Sequence, residues 1–168
     1  MRDATHRDGA AITGLYNALI PATTVAWTEA LQPIEETERW LTSQQQAGHP
    51  VLVATVDDQV VGYATYGPFR DWDRWPGYRL TVEHTIHVGE RAWGTGVGRA
   101  LMEALVVRAV GAGRHVMIAG IDAENMASIR FHERIGFVEV GRLPQTGTKF
   151  GRWLDLVFMQ RILDPGDA

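Results

Sequence analysis

Apolar residues recur at helical spacing near the start of the chain and at strand spacing in its middle and end. Ile12, Leu15, Tyr16 and Leu19 return at intervals of three and four, which predicts a helix from Asp8 to about Ile20 with Asp8 as its cap. Pro33 opens a second helix, PIEETERWLTSQQQAG, closed at Gly48, and ATTVAWT between them reads as an extended connector. VLVATV and VVGYATY flank DDQ and predict a β-hairpin. In RLTVEHTIHV the alternation puts Val82, His84, Ile86 and Val88 on one face of a strand and Thr81, Glu83, Thr85 and His87 on the other.

The segment from about Gly96 to Val110 is apolar nearly all round, which predicts a central helix stopped by Gly111 and Gly113. HVMIAGI follows as a short buried strand, and NMASIRFHERIGF as a helix ending at Gly136. VEVGRLP and RWLDLVFMQRI read as late strands joined by the turn-rich QTGTKFG. This order predicts an α/β fold, with neither an internal repeat nor a low-complexity linker.

Composition sets the scale. With 168 residues and 45% hydrophobic content, the chain suffices for one full core and is short for two, so a single domain over 1–168 is expected. Sixteen Lys and Arg against 20 Asp and Glu leave a net charge of −4, which offers no field to hold a nucleic-acid backbone. No apolar run has the length of a membrane span, and MRDATHRDGAA lacks the apolar core of a secretory signal, so the expected location is the cytoplasm without membrane attachment. The absence of cysteine removes disulfides, thiolate metal sites and any acyl-cysteine intermediate. His84 and His87 fall on opposite faces of one strand, so they do not form a metal-binding pair, and no metal is expected.

The chemistry concentrates around RAWGTGVGRAL, Arg91 to Leu101, where Gly94, Gly96 and Gly98 precede the third helix. Neither the P-loop spacing nor the dinucleotide pattern fits, because Arg99 and Leu101 stand where glycine would be required. A strand, a glycine-rich turn and a helix start form a general anion-binding device, and a plain connecting turn has the same composition. Arg91 and Arg99 flank the loop and can add charge-assisted contacts to a phosphate.

Two motifs here resemble the GNAT family of N-acetyltransferases. RAWGTGVG matches its signature of Arg or Gln, two residues, Gly, one residue, then Gly or Ala, with Arg91, Gly94 and Gly96 in place. NMASIRFHERIGF resembles the family's later helix through Asn125, Ser128, His132, Glu133, Gly136 and Phe137. TVEHTIHV, HERIGF and GTKFGRWLDLVFMQ are similar to the branch that acetylates phosphinothricin, methionine sulfoximine and methionine sulfone. The resemblance implies a mixed central sheet with helices on both faces, and acetyl transfer from acetyl-CoA to the α-amino group of a small amino acid analogue. It implies that backbone from Gly94 through Thr95, Gly96, Val97 and Gly98 to Arg99 holds the pyrophosphate. It further implies that Ile86, His87 and Val88 pair with pantetheine, that Asn125 contacts the cofactor, and that Ser128 lines the same region.

An amine attacks a thioester only when neutral, so a proton acceptor is needed. The branch assigns that base to Glu83, while spacing alone also allows a solvated glutamate beside Thr81 and Thr85. His132 stands where many members carry a tyrosine that protonates the departing thiolate; in this branch it assists the base, relays protons or holds structure. The loop GPFRDWDRWPGY carries arginine forks and aromatic walls suited to a small carboxylate or phosphinate, and equally suited to a packed lid. The branch favours Phe69, Arg70, Tyr78 and Arg79 as acceptor contacts, with Lys149 a further candidate, and implies a homodimer. Rival expectations are the same fold acting on a polyamine, an aminoglycoside or a protein amino terminus, and a non-catalytic acyl-CoA-binding module.

Overall fold

The computed structural model describes residues 1–164 and residue 166; the far end of the expected 1–168 domain, at 165, 167 and 168, lies outside the described residues. In chain order the elements are β1 (Arg2–Asp3), α1 (Gly9–Leu19), α2 (Ile34–Gln46), β2 (Val51–Val56), β3 (Gln59–Pro68), β4 (Thr81–Val88), α3 (Val97–Gly111), β5 (Val116–Asp122), α4 (Met126–Arg134), β6 (Val138–Lys149) and β7 (Arg152–Ile162). The strands form one sheet in the order β1-β2-β3-β4-β5-β7-β6. Every neighbouring pair is antiparallel except β4 with β5.

Period-two alternation gives the sheet two apolar faces, and the helices divide between them. On one face Leu52, Tyr66, Val82, Met117 and Met159 pack with Leu101, Met102 and Leu105 of α3 and Ile129 of α4. On the other, Val51, Val53 and Tyr63 pack with Ile12 of α1 and Leu41 of α2. The expected mixed sheet with helices on both faces is therefore what the chain forms.

Several local expectations need correction. Asp8 stands at the start of α1 but does not cap it, because its carboxylate is engaged backward, accepting from the Thr5 N–H at 2.7 Å and from both terminal nitrogens of Arg2 at 2.7 Å. Those bonds hold the Asp8 carboxyl down at about 2, with the Arg2 hydrogen bonds as the main cause. The third helix is not enclosed on all sides: Leu101, Met102, Leu105, Val106 and Ala109 make one buried stripe, while Arg99, Glu103, Val107 and Arg108 face solvent. QTGTK is not a turn but the second half of β6, which bulges between Leu143 and Gly147 before the true reversal at Phe150 and Gly151. The two-residue β1 escapes pattern analysis because so short a strand shows no period. In the β2–β3 hairpin, Asp57 and Asp58 both adopt positive φ, the paired left-handed geometry of a two-residue turn, so Gln59 belongs to the strand.

The connector after α1, expected to be extended, is instead a run of turns and bends, and it is pinned at base and tip. At its base, the Asn17 side chain donates to the Gln32 carbonyl and accepts from the Gln32 N–H, both at 2.9 Å. At its tip, the ammonium of Lys149, a residue only 2% exposed, donates to the carbonyls of Thr23 at 2.7 Å and Ala26 at 2.6 Å. The Trp27 ring lies over Gly147, in the space a side chain there would fill, and Glu29 accepts from the Phe150 N–H at 3.1 Å. α1 packs on β3 and β4 while β6 is the far outer strand, so these bonds tie the connector to the end of the β6–β7 hairpin that extends past β5.

Lys149→Met keeps most of the apolar stem and removes both carbonyl bonds. With charged donors contributing about 1.5 to 3 kcal/mol per bond, offset by the cost of burying the ammonium that methionine avoids, a loss of up to about 3 kcal/mol in unfolding free energy is expected. Hydrogen exchange should accelerate selectively between residues 20 and 32; uniform exchange change, or none, refutes the pin.

Candidate active site

The site begins where the sheet opens. Strand β4 pairs with β3 along its whole length, from Val82 opposite Pro68 to Val88 opposite Gly62. With β5 it pairs only at Thr81, Val82 and Glu83, opposite Val116, Met117 and Ile118. From His84 onward the two strands part, so the β5-facing backbone of Ile86 and Val88 has no strand to pair with, while the His87 backbone between them is turned to Tyr63 of β3. Buried backbone donors and acceptors are costly to leave unmatched, which makes this edge a template for an extended amide-bearing chain.

The glycine loop lies at the end of that edge. Gly94 and Gly96 have φ of +74° and +89°, the left-handed region in which side chains are strained, and nothing lies within 4 Å of where a Cβ would stand at either. Gly96 immediately precedes α3, so the unpaired N–H groups of Val97, Gly98 and Arg99 open onto the loop. A Cβ at Gly98 would meet Phe131 of α4 and Val88 at ordinary contact distance. The Thr95 hydroxyl donates to the Ala92 carbonyl at 2.7 Å, bracing the turn. Arg91 is exposed, and Arg99 is tied along the helix to Glu103 at 2.7 Å. Trp93, which the sequence did not single out, donates its indole N–H to the Val88 carbonyl at 2.8 Å and fastens loop to strand.

Glu83 occupies the last paired position of β4, half-buried on the face of α1 and α2. Burial pushes its carboxyl up from the ordinary value, and the charge of Arg70 opposes that shift. It borders a cavity of about 270 Å³ with Gly67, Thr85 and His87 of the sheet, Tyr16 of α1 and Gln32 of the connector. The His87 ring lies between Tyr16 and Tyr63, and burial lowers its pKa to about 4. A larger cleft of about 730 Å³ lies at the β2 edge between α2 and the end of α3 and contains none of the expected site residues.

The aromatic loop distributes its arginines unequally. Arg70 lies over the Phe69 ring, which contacts both Tyr78 and Phe158 of β7 at 6.1 Å. Arg74 stacks on Trp75, and the Arg79 side chain turns back to the Pro76 carbonyl at 3.4 Å. Arg70, Phe69 and Tyr78 thus gather near Glu83, whereas the Arg79 fork is engaged within its own turn. The Lys149 ammonium is occupied by the connector carbonyls described above.

His132 falls on the other side of the sheet from Glu83. It is buried on α4 and stacks on His84, whose side chain points away from the Glu83 face, with ring centroids 5.1 Å apart. The Nδ1–H of His132 donates to the Ser128 carbonyl at 2.7 Å, which leaves Nε2 of the neutral ring to accept from His84 Nε2–H at 3.2 Å. His84 Nδ1 is then a buried acceptor without a partner. Ser128 also places its hydroxyl 3.3 Å from His132 Nδ1, and the Asn125 side-chain carbonyl caps α4 by accepting from the Ser128 N–H at 3.1 Å. His84 was legible only as a face-down strand residue; its pairing with His132 depends on how α4 docks.

Among the described residues no group of three or more His, Asp or Glu is placed to hold a metal ion, and no helix is long and apolar enough to cross a membrane. Comparison with known proteins adds a family and several relatives. The profile of the Acetyltransferase (GNAT) family matches residues 12–137. The chain is 43% identical to an L-methionine sulfoximine/L-methionine sulfone acetyltransferase of Salmonella typhimurium, over 98% of this chain and 94% of that one. A solved ribosomal-protein-alanine N-acetyltransferase from Brucella melitensis superposes with a TM-score of 0.92 at 46% identity, covering 96% and 98% of the two chains. A phosphinothricin acetyltransferase of Sinorhizobium meliloti, solved in complex with AcCoA, superposes with a TM-score of 0.90 at 35% identity, covering 96% and 86%.

The histidine pair makes a spectroscopic prediction. Burial lowers both pKa values, that of His84 furthest, with the neighbouring His132 adding to the effect. Nitrogen NMR should find both rings neutral at pH 6.5, the ordinary histidine value, with His132 as the Nδ1–H tautomer. Titration of both rings at the ordinary value refutes the buried pair.

Proposed function

The chain belongs to the acetyltransferase (GNAT) family, and on that premise we propose that it transfers the acetyl group of acetyl-CoA to the α-amino group of a small amino acid analogue of the methionine sulfoximine, methionine sulfone or phosphinothricin type. The observation that carries the acceptor assignment is Glu83, half-buried with its carboxyl pushed up, beside the positive charge of Arg70. A zwitterionic amino acid complements that pair, ammonium toward Glu83 and carboxylate toward Arg70.

The open backbone edge and the glycine loop fit acetyl-CoA on chemical grounds. Ile86 and Val88 offer amide pairing to pantetheine, and the α3 N-terminus with Gly94 and Gly96 offers N–H donors to pyrophosphate. When bound, acetyl-CoA supplies an acetyl thioester, activated toward nitrogen attack. Glu83 would take one proton from the acceptor ammonium and free its lone pair; as the C–N bond forms and the C–S bond breaks, the nitrogen would lose its second proton and the departing thiolate would take up one in exchange, leaving the amide and the free thiol. His132 lies on the face opposite Glu83 with both ring nitrogens engaged, by the Ser128 carbonyl and by His84, so it holds the packing behind β4 rather than assisting the base. Asn125 organises α4 beneath it.

A protein amino terminus is the second acceptor to test, given the similarity to the Brucella melitensis protein. A chain terminus has no free α-carboxylate, so it would leave Arg70 without its partner. A homodimer belongs to this reading too: β6 is an outer strand on which Val138, Val140 and Leu143 stay exposed, an apolar edge that a second copy would cover. Dependence on acetyl-CoA supports a cytoplasmic location.

Thiol release from acetyl-CoA should be strongest with methionine sulfone and phosphinothricin, and weak with spermidine or an alanine-initiated peptide; the reverse order overturns the acceptor assignment. Glu83→Gln should lower kcat by about 10²- to 10⁴-fold with acetyl-CoA affinity little changed. Arg70 lowers the Glu83 pKa, so Arg70→Ala should let it rise and move the acid limb of the kcat/KM profile to higher pH, while raising the acceptor KM. A limb that stays put or moves to lower pH counts against Glu83 as the base.

A further inference from the structure

Glu83 stands between two glycines. Its cross-strand neighbour on β3 is Gly67, and on β5 the position two residues beyond its partner Ile118, on the same face, is Gly120. No other pair of glycines flanks a titratable side chain on this face of the sheet among the described residues. The two are not interchangeable. At Gly67 an added Cβ would meet nothing within 4 Å. At Gly120 it would meet Glu83 Oε1 at 3.0 Å, Leu156 Cδ1 at 3.6 Å and Phe158 Cε1 at 3.9 Å. Neither glycine has positive φ, so backbone conformation does not demand glycine at either place.

Gly120 is exposed although its strand lies inside the sheet, between β4 and β7. A central strand is ordinarily covered on both faces, so the floor around Glu83 is bare by residue choice rather than by position at an edge. Glycine inside a strand weakens it and leaves no side chain to pack, a cost that needs a reason.

We infer that Gly67 and Gly120 are specificity-determining residues that leave room on either side of the base for the two substituents of an amine-bearing α-carbon. This rests on the acetyl-transfer reading above and refines it. Leu156 and Phe158 give the Gly120 side an apolar wall, so the acceptor side chain lies there. The carboxylate then lies over Gly67, the unwalled side, on the strand that leads through Pro68 and Phe69 to Arg70. An amine on an unbranched carbon needs only the side-chain space, and an α-amino acid with a side chain needs both.

The test compares acceptors that differ by one substituent: methionine sulfone, the corresponding primary amine without the carboxylate, and alanine, which keeps the carboxylate but has only a methyl side chain. Gly67→Ala adds a methyl to empty space in an unstrained strand, so the variant should fold with an unchanged or raised Tm. It should reduce the kcat/KM preference for methionine sulfone over the decarboxylated amine by roughly 10-fold or more, the usual consequence of one misplaced methylene in a fitted pocket, with the acetyl-CoA KM unaltered. Gly120→Ala should lower kcat for every acceptor, because the Glu83 carboxylate must move, and should penalise methionine sulfone more than alanine. Gly67→Ala with the wild-type preference intact overturns the inference. So does an equal loss against all three amines. If the unaltered chain releases no thiol with any of them, the acetyl-transfer reading itself fails and this one with it, an outcome plainly separate from an active enzyme indifferent to Gly67→Ala.

Discussion

The brevity of the β4–β5 pairing governs the rest of the structure. Three residues of parallel pairing hold the two halves of the sheet in register, and the separation that follows leaves a stretch of main chain unmatched in the middle of the fold. A sheet bears such a gap only if something else fixes its sides. On the β4 side, β3 pairs continuously and the Trp93 indole ties the strand end to the glycine loop. On the β5 side, β7 pairs along the whole strand. The opening is thus a rigid feature with braced walls, a suitable template for a ligand that completes the backbone pairing.

The same opening separates two chemical environments one residue apart. Glu83 faces the α1 and α2 side, near a cavity and a positive charge; His84 faces the α3 and α4 side, against the His132 and Phe137 rings. Strand alternation alone produces this division, and it keeps the half-buried carboxylate and the stacked histidine pair in different layers. Burial acts on both groups in the direction that suppresses charge: the carboxyl is pushed up and the imidazoles down.

Period and punctuation made most of the architecture legible in the sequence. The hairpin, β4, the glycine loop and α4 stand close to where alternation, Pro33, Gly48 and Gly136 place them. The failures have local physical causes. A tract rich in Gly and Thr, QTGTK, has turn composition but is drawn into β6 by pairing with β7, and the bulge absorbs the misfit. Apolar Val107 sits on the solvent side of α3, which disguised an amphipathic helix as a central one. Motif and resemblance pointed to Glu83, the glycine loop and His132 as candidates, the last two through short local spacings and Glu83 through the resemblance alone. Gly67, Gly120, His84 and Trp93 were not reached, because what each does depends on a neighbour many positions away. Lys149 illustrates the limit best: the residue was legible as important near the site, but its ammonium points into carbonyls more than 120 residues earlier.

That long-range bond divides the labour of the fold. Strand β4 and the glycine loop belong to the middle of the chain, while the roof beside the Glu83 cavity is a connector from its beginning, moored to a hairpin from its end. Insertions or deletions in that hairpin would shift the mooring and re-aim the roof without touching β4, the glycine loop or Glu83. A lineage bearing this scaffold can therefore change what it accepts by editing a distant reversal of the chain, leaving the machinery of transfer intact.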